Sequence, residues 1–237
     1  MTRFIAMVSG KGGVGKTTAT IGVGQALINA GRTAIAVDAN VVTPNLGIHL
    51  GFLNPKHTLN QFLRQEKSVK EITHLHEGGL PIIPASPSYA EFQKTNVQKL
   101  SELFEHLDEG TEFVLIDAPS GLGYEVTQVL KNSDEVLLVV NPTLPSVMDG
   151  LKTTELAQAH NNTIGGVIVN MSHGGRNELT LREIEQILGY PILANIRADR
   201  KVRKALYQQM PVNYRYPYSR TAREFKKVAA HLCLDEA

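Results

Sequence analysis

Short apolar runs alternate along the chain with longer segments in which apolar residues follow helical spacing. The apolar runs cover residues 4–8, 33–37, 80–83, 113–116, 135–140, 165–169 and 192–196. Continuous apolar runs of this length are typical of strands that are buried on both faces. Segments of helical length lie between them, at residues 17–30, 97–107, 123–131, 148–159 and 179–188. This alternation predicts a doubly wound α/β fold, with a mostly parallel sheet and helices on both faces.

Length, composition and charge set further limits on the protein. The 237 residues are 42% hydrophobic. This is enough for one sizeable core, so we expect one domain over residues 1–237. The formal net charge is +1, with charged residues spread along the chain. A global polyanion-binding surface is therefore not indicated, although a local patch and DNA binding stay open.

No targeting or membrane segment is visible in the sequence. The N-terminal apolar run is too short for a signal peptide, and no run approaches the roughly 18 apolar residues of a membrane span. Cys233 is the single cysteine, which excludes an internal disulfide and fits a reducing compartment. We therefore expect a cytoplasmic protein without an integral membrane segment.

A glycine-rich loop follows the first predicted strand and precedes the first predicted helix. Residues 10–17 match the pattern G-x-x-x-x-G-K-[ST] in that context. The glycines let the backbone turn so that its N–H groups form an anion site with the helix N-terminus. The predicted nucleotide-binding residues of this loop are Gly10, Lys11, Gly12, Gly13, Val14, Gly15, Lys16, Thr17 and Thr18. Lys16 is expected on the phosphates, and the Thr17 hydroxyl on Mg²⁺.

Lys11 makes the comparison more specific. The loop reads KGGVGKTT, with a lysine directly after the first glycine of the motif. It resembles the deviant Walker A motif of the MinD/ParA family of P-loop ATPases, and within it the archaeal MinD type. The resemblance implies a homodimer that encloses Mg-ATP, with Lys11 reaching the phosphates bound by the partner subunit.

The second predicted strand leads into a segment that resembles switch I of this family. Asp38 matches the first family aspartate, which helps to order the Mg²⁺ shell. Asn40 stands where the family has a second aspartate, which positions the attacking water. Two explanations remain open: a natural variant with slow turnover, or a deliberate Asp→Asn change that traps the ATP-bound dimer. The intact remainder of the motif favours the second.

Residues 113–121 resemble the family's Walker B strand and switch II. An apolar run that ends in Asp117 places a carboxylate at the carboxyl end of a parallel strand, where open α/β sheets bind ligands. The resemblance implies that Thr17, Asp38 and Asp117 hold the metal shell. It also implies that the Gly121 N–H contacts the γ-phosphate, and that Lys11, Lys16 and Asn40 carry the reaction.

The base pocket is less clearly marked in the sequence. Asn170 ends a predicted strand at the position of the family's adenine-binding asparagine, with a turn-forming asparagine as the less favoured alternative. Arg197 and Ala198 lie in a segment whose backbone borders the base in the family. Arg197 replaces the usual proline there.

The resemblance implies an Mg-ATP-dependent dimerising ATPase switch in the spatial organisation of cell division or of a cargo. Its partners would be a second copy of itself and an unidentified regulatory or cargo protein. One alternative is a nucleotide-dependent scaffold with negligible hydrolysis. Another is a bacterial-type tyrosine kinase, for which Tyr214, Tyr216 and Tyr218 would be the modified residues. A cluster-carrying redox relative needs cysteine pairs, which a chain with one cysteine lacks.

The C-terminal segment predicts a final helix of the domain itself. Ala222, Phe225, Ala229 and Leu232 form an apolar stripe at helical spacing, which is more often packed than free. The acidic tip at residues 235–236 opposes attraction to anionic lipid. Peripheral membrane association is therefore the less favoured interpretation.

Overall fold

A single sheet organises the computed structural model, which describes residues 2–107 and 110–234. In this part of the chain the strands are β1 (Arg3–Val8), β2 (Ala34–Asp38), β3 (His74–Leu75), β4 (Pro81–Ile83), β5 (Phe113–Asp117), β6 (Glu135–Val140), β7 (Thr163–Ser172) and β8 (Ile192–Arg197). Their order across the sheet is β3-β4-β2-β5-β1-β6-β7-β8. All neighbours are parallel except β3, which runs antiparallel to β4.

Helices connect the strands and cover the sheet. They are α1 (Lys16–Asn29), α2 (Leu46–His49), α3 (Leu59–Leu63), α4 (Val69–Ile72), α5 (Tyr89–Gln93), α6 (Leu100–Leu107), α7 (Tyr124–Leu130), α8 (Leu144–Ala159), α9 (Leu181–Leu188), α10 (Arg200–Tyr207), α11 (Val212–Arg215) and α12 (Arg220–Leu234). A 3₁₀ turn at Val97–Lys99 leads into α6.

Alternate residues of β1 face two separate hydrophobic cores. In β1, Ile5 and Met7 belong to a core shared with α1 and α12, whereas Ala6 and Val8 belong to a core shared with α3 and α6 to α9. Side chains of successive strand residues point to opposite faces, so a strand covered on both sides is apolar throughout. This explains why the strands appear in the sequence as continuous apolar runs.

The predicted doubly wound fold is confirmed, as are the predicted strands and helices within a few residues at their ends. Of the strands β3 and β4, only β4 was predicted, because the two residues of β3 are too few to show an apolar run or an alternating pattern. The helices α2 to α5 and α11 have four or five residues each and were missed for the same reason.

The predicted final helix is also confirmed. Ala222, Phe225, Ala229 and Leu232 are buried in α12, and the last three pack in the core shared with α1. The acidic tip at residues 235–236 lies outside the described residues. Within the described ranges, no helix combines the length and apolar character needed to cross a bilayer.

The sheet brings three chemically important loops to one edge. The direction of strand order changes at β1, whose neighbours are β5 and β6. In the ladder between β2 and β5, Asp38 lies directly opposite Asp117, and Met7 of β1 also pairs with Asp117. Ligands of open α/β sheets bind outside the carboxyl ends of the strands at such a switch point.

Candidate functional site

The loop between β1 and α1 adopts a conformation that needs glycine at particular positions. Gly15 has φ of 94° and lies directly before α1. A Cβ atom on Gly15 would lie 2.2 Å from Asn170 Nδ2. A Cβ atom on Gly10 would lie 2.4 Å from the carbonyl oxygen of Asp149. Gly10 and Gly15 therefore allow the loop to pack closely against β7 and α8.

Lys16 reaches from this loop toward the loop after β5. Its buried ammonium donates hydrogen bonds to Ser9 Oγ at 2.9 Å and to Ser120 Oγ at 2.8 Å. Burial lowers the pKa of Lys16 below its usual value, and the Asp117 carboxylate opposes this shift. Both hydrogen-bond partners of the ammonium are neutral hydroxyls, so an anion such as a phosphate fits at this point.

Thr17 and Asp117 form the centre of a metal-compatible pair. The Thr17 hydroxyl donates to Asp117 Oδ2 at 2.6 Å. Asp117 Oδ1 is buried and has no hydrogen-bond partner among the described residues. Burial raises the pKa of Asp117 to about 6, although the Thr17 hydrogen bond and the Lys16 charge oppose the shift. A buried carboxylate oxygen without a partner, beside a hydroxyl, fits the oxygen-donor preference of Mg²⁺.

Asp38 holds the backbone of switch I. It is buried and accepts backbone hydrogen bonds from Asn40 at 3.2 Å, Asn45 at 3.1 Å and Leu46 at 2.9 Å. Burial, together with the Asp117 carboxylate, raises the pKa of Asp38 well above its usual value. The two adjacent carboxylates favour a cation at this edge of the sheet. These bonds hold the backbone of residues 40–46 against the end of β2, and the predicted part of Asp38 in the metal shell stays a prediction.

Asn40 lies at the cavity with its amide engaged by Thr43. Asn40 Nδ2 donates to the Thr43 carbonyl oxygen at 2.7 Å, and Asn40 Oδ1 accepts from the Thr43 N–H at 3.2 Å. An aspartate could keep the second contact but not the first, because a carboxylate cannot donate. Its predicted action on the attacking water stays a prediction.

These loops enclose a cavity of about 410 Å³. The predicted site residues that line it are Gly12, Gly13, Gly15, Lys16, Thr17, Thr18 and Asn40. The sequence interpretation missed other lining residues, namely Thr43, Asn45, His49, Ala118, Ser120, Met171 and Leu206. Ala118 and Ser120 lay within the recognised segment 113–121, and Thr43 and Asn45 within the segment that resembles switch I, but none of them was assigned to the site. His49, Met171 and Leu206 come from separate segments that only the fold brings together.

Lys11 and Gly121, two predicted site residues, differ in their hydrogen bonds. The Lys11 side chain is exposed and makes no hydrogen bond or ion pair within the described part of the chain. The Gly121 N–H donates to the Ser9 carbonyl oxygen at 3.1 Å, and Gly121 has φ of 93°. Its predicted contact with a γ-phosphate stays a prediction, and it would require the Gly121 N–H to leave the Ser9 carbonyl oxygen.

The three residues predicted for the base pocket lie in different surroundings. Asn170 Nδ2 donates to the Val14 carbonyl oxygen at 2.8 Å, and its Oδ1 accepts from the Met171 N–H at 2.9 Å. The Ala198 N–H donates to the Ser172 carbonyl oxygen at 2.9 Å. Arg197 is exposed and lines a separate cleft between β8 and α12. Adenine contacts by these residues stay predictions.

Comparison with known proteins agrees with this site. Residues 1–233 match the ParA family, described as NUBPL iron-transfer P-loop NTPase. An uncharacterized ATP-binding protein of Methanocaldococcus jannaschii is 32% identical over 232 residues, which are 98% of this chain and 88% of that protein. The chain belongs to the ParA family of P-loop NTPases.

Two further relatives belong to the same group. The antiactivator FleN of Pseudomonas aeruginosa is 31% identical over 240 residues, covering 96% of this chain and 85% of FleN. The septum site-determining protein MinD of Pyrococcus horikoshii, solved with Mg-ADP, superposes with a TM-score of 0.93 at 29% identity. That comparison covers 98% of this chain and 96% of the MinD chain. The resemblance to MinD/ParA ATPases noted from the motifs is thereby confirmed.

Solved relatives show which groups a site of this kind can hold. ParA-family proteins include nucleotide-binding ATPases, and the P. horikoshii MinD structure contains both nucleotide and Mg²⁺. The residues of this chain fit such a group, since Lys16 offers a buried cation and Asp117 Oδ1 is a buried oxygen that lacks a partner in the described residues.

Proposed function

We propose that this chain is an ATP-dependent switch that binds Mg-ATP in the 410 Å³ cavity and pairs with a second copy of itself. One observation carries the proposal. The buried cation Lys16 and the Thr17 hydroxyl line one cavity, Asp117 accepts a hydrogen bond from that hydroxyl, and Lys16 also contacts the loop after β5 through Ser120. A terminal phosphate bound by Lys16 would therefore alter the loop after β5.

The residues of the chain divide the work at the phosphates. Backbone N–H groups of residues 12–18 and the N-terminus of α1 provide a fixed positive potential. Lys16 supplies the positive charge that binds the terminal phosphates, and Thr17 with Asp117 would hold the metal. Mg²⁺, when bound, neutralises charge on the phosphate oxygens. Phosphoryl transfer to water depends mostly on such positioning and charge neutralisation.

Lys11 supports a dimer in which each copy completes the other's site. Its ammonium is exposed at the rim and has no ion pair or hydrogen bond within the described residues. Because Lys11 is exposed at the mouth of the phosphate site, its ammonium is available to an anion that a second subunit binds. We infer that Lys11 contacts the phosphates of the partner subunit, so that nucleotide joins the two copies.

Asn40 favours slow hydrolysis of the bound ATP. An amide can hold a water molecule but is a poor base, and here both of its ends bind Thr43. The ATP-bound dimer would therefore persist. The contacts with Thr43 indicate that an asparagine side chain is well accommodated at position 40 of switch I. They also favour a scaffold with negligible hydrolysis as the second candidate function.

The cellular output would be a change in partner binding between nucleotide states. The named relatives include a septum site-determining protein and an antiactivator. We propose a related positioning or regulatory role in the cytoplasm, with a regulatory or cargo protein as partner.

Nucleotide binding by Lys16→Ala tests the site directly. Charge-assisted hydrogen bonds contribute roughly 1.5–3 kcal/mol each, so the variant should lose at least about tenfold in ATP affinity. Lys152→Ala, which removes an exposed lysine on α8, is the matched control and should bind normally. Isothermal calorimetry with Mg-ATP measures both, with thermal melting as a check on folding. Unchanged affinity in Lys16→Ala would exclude this cavity as the phosphate site.

A further inference from the structure

Charge is concentrated in one segment of the chain rather than spread evenly. Residues 197–227 hold ten of the 24 lysines and arginines but only two of the 23 aspartates and glutamates. The segment therefore carries a formal charge of +8, and the remainder of the chain carries −7. The even distribution expected from the sequence is wrong for this part, because the net charge of +1 conceals two opposite regions.

These charges lie on one set of neighbouring helices and face solvent. The segment forms α10, α11 and α12, and all ten cationic residues in it are exposed. Asp199 and Glu224, the two acidic residues, are half-buried. Among the ion pairs of the described residues, only Lys227 with Glu224 at 2.6 Å involves this segment. We call the surface formed by residues 197–227 the basic face.

A cleft of about 280 Å³ lies between β8 and α12 on the basic face. Its lining includes Arg197, Arg220 and Arg223. Glu224 also lines the cleft, but its carboxylate already accepts from the Asn195 N–H at 3.0 Å and from Lys227 at 2.6 Å. The three guanidinium groups therefore lack a carboxylate partner within the described residues. Guanidinium groups bind carboxylates through two parallel hydrogen bonds.

Exposed tyrosines accompany the cations. Tyr207 and Tyr218 are 91% and 94% exposed, at the end of α10 and just before α12. Tyr216 is half-buried beside Lys201 and Arg215. Tyrosine and arginine are the residues most enriched at energetically important positions of protein interfaces.

We propose that the basic face binds an acidic segment of a partner protein, whose carboxylates pair with Arg197, Arg220 and Arg223. A lipid surface fits less well, because Ala222 and Phe225, the apolar residues of α12 within the basic face, are buried, and no Val, Leu, Ile or Met of residues 197–227 is exposed. A nucleic acid extends beyond the face, so its flanking phosphates would approach the acidic remainder of the chain. A short acidic segment ends within the face.

The position of α10 places such a partner beside the nucleotide cavity. Leu206 of α10 lines that cavity, whereas Arg203 and Lys204 of the same helix are exposed on the basic face. The binding surface itself does not depend on the proposed nucleotide cycle. Its test is therefore made without nucleotide, so that its failure and the failure of the proposed function are separate results.

The test compares three anionic probes at physiological ionic strength. The probes are a fluorescent peptide of alternating glutamate and serine, a short DNA duplex, and vesicles of phosphatidylcholine with phosphatidylglycerol. Anisotropy reports binding of the peptide and the duplex, and co-sedimentation reports binding of the vesicles. The full chain should bind the peptide in preference to the duplex and the vesicles.

Two charge-matched variants locate the binding. Arg220→Glu/Arg223→Glu should weaken peptide binding by at least about tenfold, since two charge-assisted contacts become repulsive. Lys152→Glu/Arg182→Glu removes two exposed cations of α8 and α9 and changes the net charge equally, so it should bind nearly as the unchanged chain does. Arg220→Lys/Arg223→Lys keeps the charge but loses the paired geometry, and it should bind the peptide more weakly.

Three results would overturn the proposal. They are absence of peptide binding by the unchanged chain, tighter binding of the duplex or the vesicles, and equal losses in the two charge-matched variants. Thermal melting of each variant shows whether it is folded, and the charge-conserving variant keeps the test valid if the reversal is unstable.

Discussion

Lys16 Nζ donates a hydrogen bond to Ser120 Oγ at 2.8 Å, and this bond joins the phosphate loop to the loop after β5. A second bond, from the Gly121 N–H to the Ser9 carbonyl oxygen at 3.1 Å, connects the same two loops. The cation proposed to bind the terminal phosphate thus already touches the segment proposed to respond to it. Ser120 also lines the cavity, within reach of a group bound by Lys16.

Ser120→Ala should reduce the preference for ATP over ADP. The hydroxyl lies beside Lys16, where only a terminal phosphate would meet it, so its loss should weaken ATP binding several-fold and leave ADP binding nearly unchanged. One hydrogen bond to a charged group contributes roughly 1.5–3 kcal/mol, which sets the upper limit of the effect. Calorimetry with both nucleotides measures it, and Ser133→Ala at the end of α7 is the control. Equal losses for ATP and ADP would place Ser120 away from the terminal phosphate.

Asn40→Asp should raise single-turnover hydrolysis by at least about tenfold, a conservative part of the range that a general base contributes. ATP affinity should change little, because residue 40 would act on the water and not on the phosphates. Asn45→Asp is the matched control. It adds the same charge to the same cavity and also loses an amide contact with the Thr43 carbonyl oxygen, at 2.8 Å.

Two outcomes would contradict the role given to Asn40. Equal rates in Asn40→Asp and the unchanged chain would mean that residue 40 does not act on the water. An equal acceleration in Asn45→Asp would assign the effect to added charge or to a loosened Thr43 rather than to position.

Asp117→Asn should stabilise the protein at neutral pH when Mg²⁺ is absent. The pKa of Asp117 is raised to about 6 from a usual 3.8, so the folded state holds a proton over that interval. Stability contributed by this proton is present at low pH and is lost as the pH rises through about 6. The difference in melting temperature between variant and unchanged chain should therefore shrink as the pH falls.

Adding Mg²⁺ provides the control for that measurement. A cation should stabilise the unchanged chain at neutral pH and have much less effect on Asp117→Asn, which lacks the carboxylate. A difference in melting temperature that does not vary with pH would show that the Asp117 carboxylate is not strained in the folded state.

The sequence predicted the fold and the phosphate site for a clear physical reason. Strands covered on both faces leave continuous apolar runs, and a loop that encloses phosphates needs glycines, a lysine and a threonine at fixed spacing. Lys16, Thr17 and Asp117 converge in the structure as this reasoning expects.

The rest of the site depends on contacts between distant segments. Met171 and Leu206 reach the cavity from β7 and α10, and although Met171 directly follows Asn170, neither residue belongs to a pattern that marks a cavity-lining side chain. Asn170 was assigned to the base by its position in a motif, yet its amide bridges Val14 and Met171. The concentration of charge in residues 197–227 was hidden because the total is close to zero.

The central claim, that nucleotide joins two copies through Lys11, is tested most directly by the mass of the protein in solution. Light scattering after size-exclusion chromatography should give a dimer with Mg-ATP and a monomer with Mg-ADP. Lys11→Ala should remain a monomer with both nucleotides while still binding ATP, because its ammonium acts on the partner subunit. The control Lys152→Ala should dimerise normally. A mass that ignores both the nucleotide and the Lys11 substitution would contradict the account.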